Sequence, residues 1–237
     1  MSEGLGRTGD AYGAILLDAL EGRQAFEIIE RDDGVVWAGT PDEYFAPHRR
    51  WPAAERGALR SARGRVLDIG CGAGRVSLHL QERGLEVVAV DESPGAVEVC
   101  RRRGVHDARV VALTAIDRSL GAFDTILLLR NNFGLAGPRR APAVLRRLGR
   151  IARPGAVLVT DSVDPRRAER EEQRADGSAA PRIRVRWRDR ATPWFSYLML
   201  RPEQMEEAAL EGGWRVRRLV VDESPRYAVV LERSPTS

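Results

Sequence analysis

Residues Val66 to Arg75 read Val-Leu-Asp-Ile-Gly-Cys-Gly-Ala-Gly-Arg, a short apolar strand running directly into three glycines at alternate positions. Gly70, Gly72 and Gly74 supply a tight turn where a ligand can approach the backbone with no Cβ in the way. The discriminating residue is Asp68, two before the first glycine. Dinucleotide turns space their glycines G-x-G-x-x-G and present a helix N-terminus to a diphosphate. Here the spacing is G-x-G-x-G. A carboxylate beside it repels a diphosphate and suits a ligand that carries an ammonium group. Asp91 closes the next apolar strand, Glu86 to Val90, where a carboxylate accepts both hydroxyls of an adenosine ribose. Ser93 already serves as the helix cap, which leaves Asp91 for the ribose, with Glu92 beside it as a second acceptor.

The ten-residue run is similar to motif I of the class I S-adenosylmethionine-dependent methyltransferases, whose cofactor carries a sulfonium and an amino-acid tail. The resemblance covers about Arg65 to Glu232. It implies S-adenosyl-L-methionine as cofactor, no metal, and transfer of a methyl group to oxygen or nitrogen of a small-molecule acceptor, in the setting of bacterial specialised metabolism. It also implies cofactor contacts from Asp68, Gly70, Gly72, Gly74, Arg75, Asp91 and Glu92, with Tyr44 and Arg75 directed to the methionine carboxylate. Many members place an acid at the end of strand three to accept from the adenine amino group. This chain has Thr114 and Ala115 there, so a backbone contact from Ala115 takes on that work.

Strand four leaves through Arg130-Asn131-Asn132-Phe133-Gly134, beside the switch point where ligands bind in a doubly wound sheet. Arg130 is expected at the cofactor and Asn131, Asn132 and Phe133 at the substrate; the two asparagines serve equally well as caps of the turn. Methylases of exocyclic base amines carry Asp/Asn-Pro-Pro-aromatic at this point. The prolines are missing here, which argues against a base methylase.

These groups meet only if their strands lie side by side. Apolar strands at 66–69, 86–90, 109–113, 123–129 and 156–161 alternate with helical segments, and Gly84, Gly104 and Pro154-Gly155 punctuate them. The pattern predicts an α/β fold with a doubly wound, mostly parallel sheet of seven strands, a Rossmann-like methyltransferase core. Trp214–Val221 and Arg226–Leu231 complete it as a pair, the last strand antiparallel. Residues 64–237 form this core and residues 1–63 an N-terminal helical cap that lids the substrate. Arg182–Arg188, with strictly alternating arginines, and Trp194–Leu200 predict a hairpin insertion at about 181–200. Residues 1–9, 166–180 and the last few are expected to be unstructured.

Trp37, Tyr44, Phe45, His48 and Trp51 lie within 15 residues of one another just before the core. As a cap they line the acceptor pocket, with Trp37 and Trp51 at the substrate and His48 as the base; the same cluster also reads as helix packing. Trp194 is a further substrate candidate. The net charge of +4 includes no lysine, since all 38 basic residues are arginine. That bias reflects codon usage in a GC-rich genome more than selection for phosphate contacts, and it excludes Schiff-base and phosphate-loop lysine chemistry. Two cysteines and no long apolar run point to a cytoplasmic protein without membrane attachment, a monomer or homodimer. Two rivals stay open: a tRNA or rRNA methyltransferase with the arginine hairpin as footprint, and a protein that binds the cofactor without methylating.

Overall fold

The computed structural model describes residues 7–167 and 180–233. Of the stretches expected to be unstructured, residues 1–6, 168–179 and 234–237 lie outside the described residues. Before the glycine loop the chain forms β1 (Arg7–Thr8), α1 (Ala11–Leu20), β2 (Glu27–Arg31), β3 (Val36–Gly39), α2 (Asp42–Phe45) and α3 (Ala53–Leu59). The core then alternates β4 (Arg65–Ile69), α4 (Arg75–Glu82), β5 (Glu86–Asp91), α5 (Pro94–Arg102), β6 (Asp107–Val110), β7 (Phe123–Leu128), α6 (Ala141–Gly149) and β8 (Ala152–Val163). After it come β9 (Arg182–Trp187), β10 (Arg190–Ala191), β11 (Phe195–Ser196), α7 (Pro202–Glu211), β12 (Trp214–Val221) and β13 (Arg226–Arg233).

Seven strands pair in the order β12-β13-β8-β7-β4-β5-β6. Strands β4 to β8 are parallel, and β13 runs antiparallel between β8 and β12. Leu67 and Ile69 of β4 pack with Val88, Leu128, Leu158 and Trp214 on one face, and Val66 packs with Val76, Leu80 and Val230 on the other. Burial on both faces is why these strands read as continuous apolar runs. A local signal starts α5: Ser93 Oγ accepts from the Ala96 N–H with Pro94 next to it; Trp214 Nε1 donates to the middle of α6 at Leu145 O (2.9 Å). Among the described residues no helix is long and apolar enough to cross a membrane.

The N-terminal segment brings helices, as expected, and also a β-hairpin that the sequence pattern did not disclose. β2 pairs antiparallel with β3 and, on its other edge, with β9, giving a second sheet ordered β1-β10-β9-β2-β3. A lone hairpin leaves two edges unpaired; joining two distant hairpins closes one edge of each. Ile183, Val185 and Trp187 of β9 alternate with the arginines, and Val185 and Trp187 pack with Ile15 of α1. Arg184 and Arg186 both pair with Glu30 on the opposite face. Only Phe195–Ser196 of the expected 194–200 strand is paired, with β9.

Helix α1 lies against α5. A Cβ on Gly95 would come 2.7 Å from Gly13 Cα, so two glycines permit the crossing. Asp10 locks it. Its carboxylate accepts from the Gly13 N–H (2.8 Å), Ser93 Oγ (2.8 Å) and the Gly95 N–H (2.8 Å), joining the N-termini of both helices.

Candidate active site

The glycine loop joins the buried end of β4 to α4, and the Gly70 N–H donates to Val90 O at the end of β5 (2.8 Å). Gly70, Gly72 and Gly74 have φ of 70°, 55° and 75°, the left-handed conformation that only glycine adopts at little cost. Space adds to the requirement: a Cβ on Gly72 would lie 2.8 Å from Tyr12 Oη. Asp68 sits in β4 just before the loop, where Ser77 Oγ donates to its Oδ2 (2.6 Å). Burial pushes the Asp68 carboxyl up to about 6 despite that bond. Asp91 ends β5 and accepts from the Gly72 N–H (2.9 Å) and the Ser93 N–H (2.9 Å), which shape the loop. Burial pushes it also up to about 6. Glu92 beside it is exposed on the rim.

Arg75 opens α4 and is buried. Its guanidinium pairs with Glu55 of α3 (2.8 Å) and lies over the Trp51 ring (4.4 Å to the centroid). Nη1 of Arg75 and Oε1 of Glu55 are buried without a hydrogen-bond partner, as are Nε of Arg56 and Nη1 of Arg226. Over the loop, Tyr12 of α1 and Tyr44 of α2 meet edge to face with centroids 5.3 Å apart. Tyr44 Oη donates to Glu27 of β2 (3.0 Å). Burial raises both phenols and the Glu27 carboxyl. Trp37 is cross-strand from Ile29, which puts it on the same face of the second sheet as Glu27.

Across the switch point, Arg130 and Asn131 have φ of 63° and 60°. Arg130 pairs with Glu43, and its carbonyl accepts from Tyr197 Oη (3.3 Å). Asn132 Nδ2 donates to Gly70 O (2.8 Å), so it fixes the glycine loop from behind. The Asn131 N–H donates to Asp161 Oδ1 (2.6 Å), at the end of β8.

Four expectations from the sequence need correction. His48 stacks on His79 of α4 with centroids 4.1 Å apart and edges against Trp51, on the outer side of the helix one turn beyond Arg75. There the imidazole packs between two aromatic rings, Trp51 and His79. Phe133 is 1% exposed within the main core, because an apolar ring beside β7 finds more surface there than in a pocket. The Asn131 side chain is committed on both sides, donating to Leu198 O (3.0 Å) and accepting from Ser162 Oγ (2.9 Å), so it holds a loop. Trp194 stacks under Arg184, which belongs to the outer face of the second sheet. Trp51 remains as the wall against Arg75, with its indole N–H on Ala46 O (2.7 Å).

Tyr12, Glu27, Glu55, Asp161, Tyr197 and Arg226 were not anticipated. Only α1 left a signal, Asp10 as N-cap before an apolar helical run, which would have brought Tyr12 into view.

The residues at the loop fit the implied cofactor. Asp68 and Asp91 are desolvated carboxylates, Arg75 has a buried N–H to give, and Gly72 is a cradle that a Cβ would fill. A family model described as a methyltransferase domain matches residues 66–155. Over 118 residues the chain is 37% identical to the cypemycin N-terminal methyltransferase of a Streptomyces species, 48% of this chain and 46% of that one. Over 156 residues it is 31% identical to the malonyl-[acyl-carrier protein] O-methyltransferase of Salmonella typhimurium, 65% of this chain and 55% of that one. The chain thus spans about half the length of these curated relatives. A solved SAM-dependent methyltransferase from Bacteroides fragilis, in complex with S-adenosyl-L-homocysteine, is similar over 95% of both chains with 28% identity and a TM-score of 0.83.

Proposed function

Since the chain belongs to the class I S-adenosylmethionine-dependent methyltransferase superfamily, we propose that it binds S-adenosylmethionine at the β4–β5 edge and methylates an oxygen or nitrogen of a small molecule. The observation that carries this reading is the pair of desolvated carboxylates on adjacent strands, Asp68 and Asp91, beside a buried arginine with an unused Nη1. Asp68 would hold the ammonium of the amino-acid tail, Arg75 its carboxylate, and Asp91 the ribose hydroxyls. Trp51 and Glu55 hold the Arg75 guanidinium in place. When bound, S-adenosylmethionine supplies a methyl group on a positively charged sulfur.

The chain's own work is alignment and exclusion of water. Tyr12 and Tyr44 cover the glycine loop, and the second sheet carries Glu27 and Trp37 over the same region. An acceptor aligned with that methyl group would need a lone pair, so a hydroxyl or ammonium acceptor would have to give up a proton. Glu27, whose carboxyl burial raises above its usual range, is the group placed to take that proton.

A small acceptor is favoured over nucleic acid by the state of the arginine strand. Arg184 and Arg186 are neutralised by Glu30, and Arg188 pairs with Asp18 (2.9 Å). A nucleic-acid footprint needs cations left to neutralise phosphates. Calorimetry tests the reading: S-adenosylmethionine and S-adenosylhomocysteine are expected to bind and NAD is not. NAD binding without S-adenosylmethionine binding would overturn it.

A further inference from the structure

Arg226 opens β13 at the end of the sheet where the parallel strands finish. Ala228 pairs with Asp161 and Arg226 with Val163, so the arginine shares a sheet face with Asp161 and extends beyond it. Its Nη1 is buried with no hydrogen-bond partner, and among the described residues its guanidinium makes no ion pair. Arg75, by contrast, has Glu55, and Arg130 has Glu43. A buried guanidinium N–H without an acceptor is unfavourable to the fold alone, so it calls for an acceptor from a ligand.

The surroundings leave the guanidinium available. Asp161 is its electrostatic neighbour: burial raises the Asp161 carboxyl and the Arg226 charge lowers it, but Asp161 Oδ1 accepts the Asn131 N–H and Arg226 Nη1 is left without an acceptor. Tyr197 also faces this corner, with its hydroxyl on Arg130 O. The corner adjoins the cofactor loop through two consecutive residues. Asn132 donates to Gly70 O (2.8 Å), and Asn131 donates to Asp161 (2.6 Å). A group at Arg226 is therefore linked to the glycine loop through Asn131 and Asn132, on the strands against which α3 packs.

We infer that Arg226 anchors an oxyanion of the methyl acceptor, so that the acceptor is a small acid bearing a carboxylate or phosphate group. This rests on the methyltransferase reading of the site. The planar fork of arginine donates two parallel N–H bonds to either anion, which fixes both position and orientation.

The test uses the full chain loaded with S-adenosylhomocysteine, titrated with acetate or inorganic phosphate and followed by NMR shifts. Saturable binding is expected, at a dissociation constant of order 1–10 mM for so small a probe. Arg226→Gln should weaken it at least tenfold and Arg226→Lys less, while Arg118→Gln, at an exposed loop, changes nothing. The probe that binds tighter identifies which acid the acceptor carries. Cofactor-product affinity should stay within twofold in Arg226→Gln, and its melting temperature should equal or exceed that of the unaltered chain, since an unpaired cation has been removed. Equal anion binding in Arg226→Gln would overturn the inference, as would a protein that binds S-adenosylhomocysteine but neither anion. A fall of several degrees in both variants' melting temperature would assign Arg226 a structural role instead. Failure of the unaltered chain to bind S-adenosylhomocysteine would mark the methyltransferase reading, and not the anion site, as the error.

Discussion

Acidification should weaken cofactor binding while it strengthens the free fold, and the size of both effects follows from Asp68 and Asp91. Each carboxyl is held at about 6 by burial. A group with that value is about 91% ionised at pH 7 and about 9% at pH 5. An ammonium at Asp68 and ribose hydroxyls at Asp91 both favour the ionised form. Affinity for S-adenosylhomocysteine should therefore fall about tenfold per group between these pH values, about a hundredfold for both, or roughly 2.7 kcal/mol.

The unliganded protein moves the other way. A carboxyl raised from its ordinary 3.8 stabilises the fold most below 3.8, and that contribution is lost as pH rises through about 6. Lowering pH from 7 to 5 should thus recover about 1.3 kcal/mol per group. Glu27 and Asp161, also raised by burial, act in the same direction. Asp124, Asp164 and Asp222 are held low by their partners and lose stability only at more acidic pH. Calorimetry at pH 5, 6 and 7 measures the affinity and the protons released on binding, and thermal melts of the free protein measure the fold. Asp68→Asn should bind more weakly at pH 7 and keep about tenfold of pH dependence, from Asp91 alone. Affinity that is flat from pH 7 to 5, or an undiminished slope in Asp68→Asn, would refute the assignment of a cation to Asp68.

Three further outcomes separate the parts of the site. Gly72→Ala should weaken S-adenosylhomocysteine binding, with backbone strain of about 1 kcal/mol at a left-handed position, and Tyr12→Phe in the same chain should restore part of it by removing the oxygen a Cβ would meet; calorimetry of the single and double variants reads the coupling. His48→Ala should leave turnover within about threefold and lower stability by about 0.5–1.5 kcal/mol through lost ring contacts, whereas a loss of about a hundredfold in steady-state turnover would return the base role to it. Asp10→Ala should destabilise the chain by about 1–2 kcal/mol in urea melts as both helix caps loosen, and it should raise the cofactor KM because α1 carries Tyr12.

Local requirements were readable in the sequence. Glycines that must adopt positive φ, a serine–proline helix start and strands buried on both faces each leave a short-range mark, and Val66–Arg75 combines several of them. Residues brought together over long sequence distances left none. Arg182–Arg188 read correctly as a strand, but its partner β2 lies about 150 residues earlier, and nothing in either spacing names the other. Glu30 explains the arginines only once the strands are paired. His48 was misplaced because closeness in sequence to Tyr44 was taken for closeness in space. Pro47 and the tight turn at His48–Arg50 instead carry the ring to the outside of α4. Phe133 was misplaced by the opposite error, a motif resemblance allowed to outweigh the plain tendency of a phenylalanine beside a buried strand to join the core.

The second sheet is what turns a cofactor-binding core into a site for two ligands. The seven-stranded sheet by itself presents Asp68 and Asp91 on β4 and β5, and Asp161 and Arg226 on β8 and β13. Nothing in it closes over them. Glu27 on β2 and Tyr197 just after β11 are both delivered by the second sheet, and β2, β9 and β11 are hydrogen-bonded neighbours. The sheet is anchored through α1, whose Ile15 packs with Val185 while Asp10 bonds to Ser93 and Gly95, two to four residues beyond Asp91. Loosening α1 therefore disturbs the ribose carboxylate and the acceptor roof together. Among the described residues, the four buried polar atoms without partners belong to Glu55, Arg56, Arg75 and Arg226, on α3, α4 and β13 beneath this roof. Buried groups without a hydrogen-bond partner cost stability that a bound ligand can restore. The fold gives up stability where its two ligands meet.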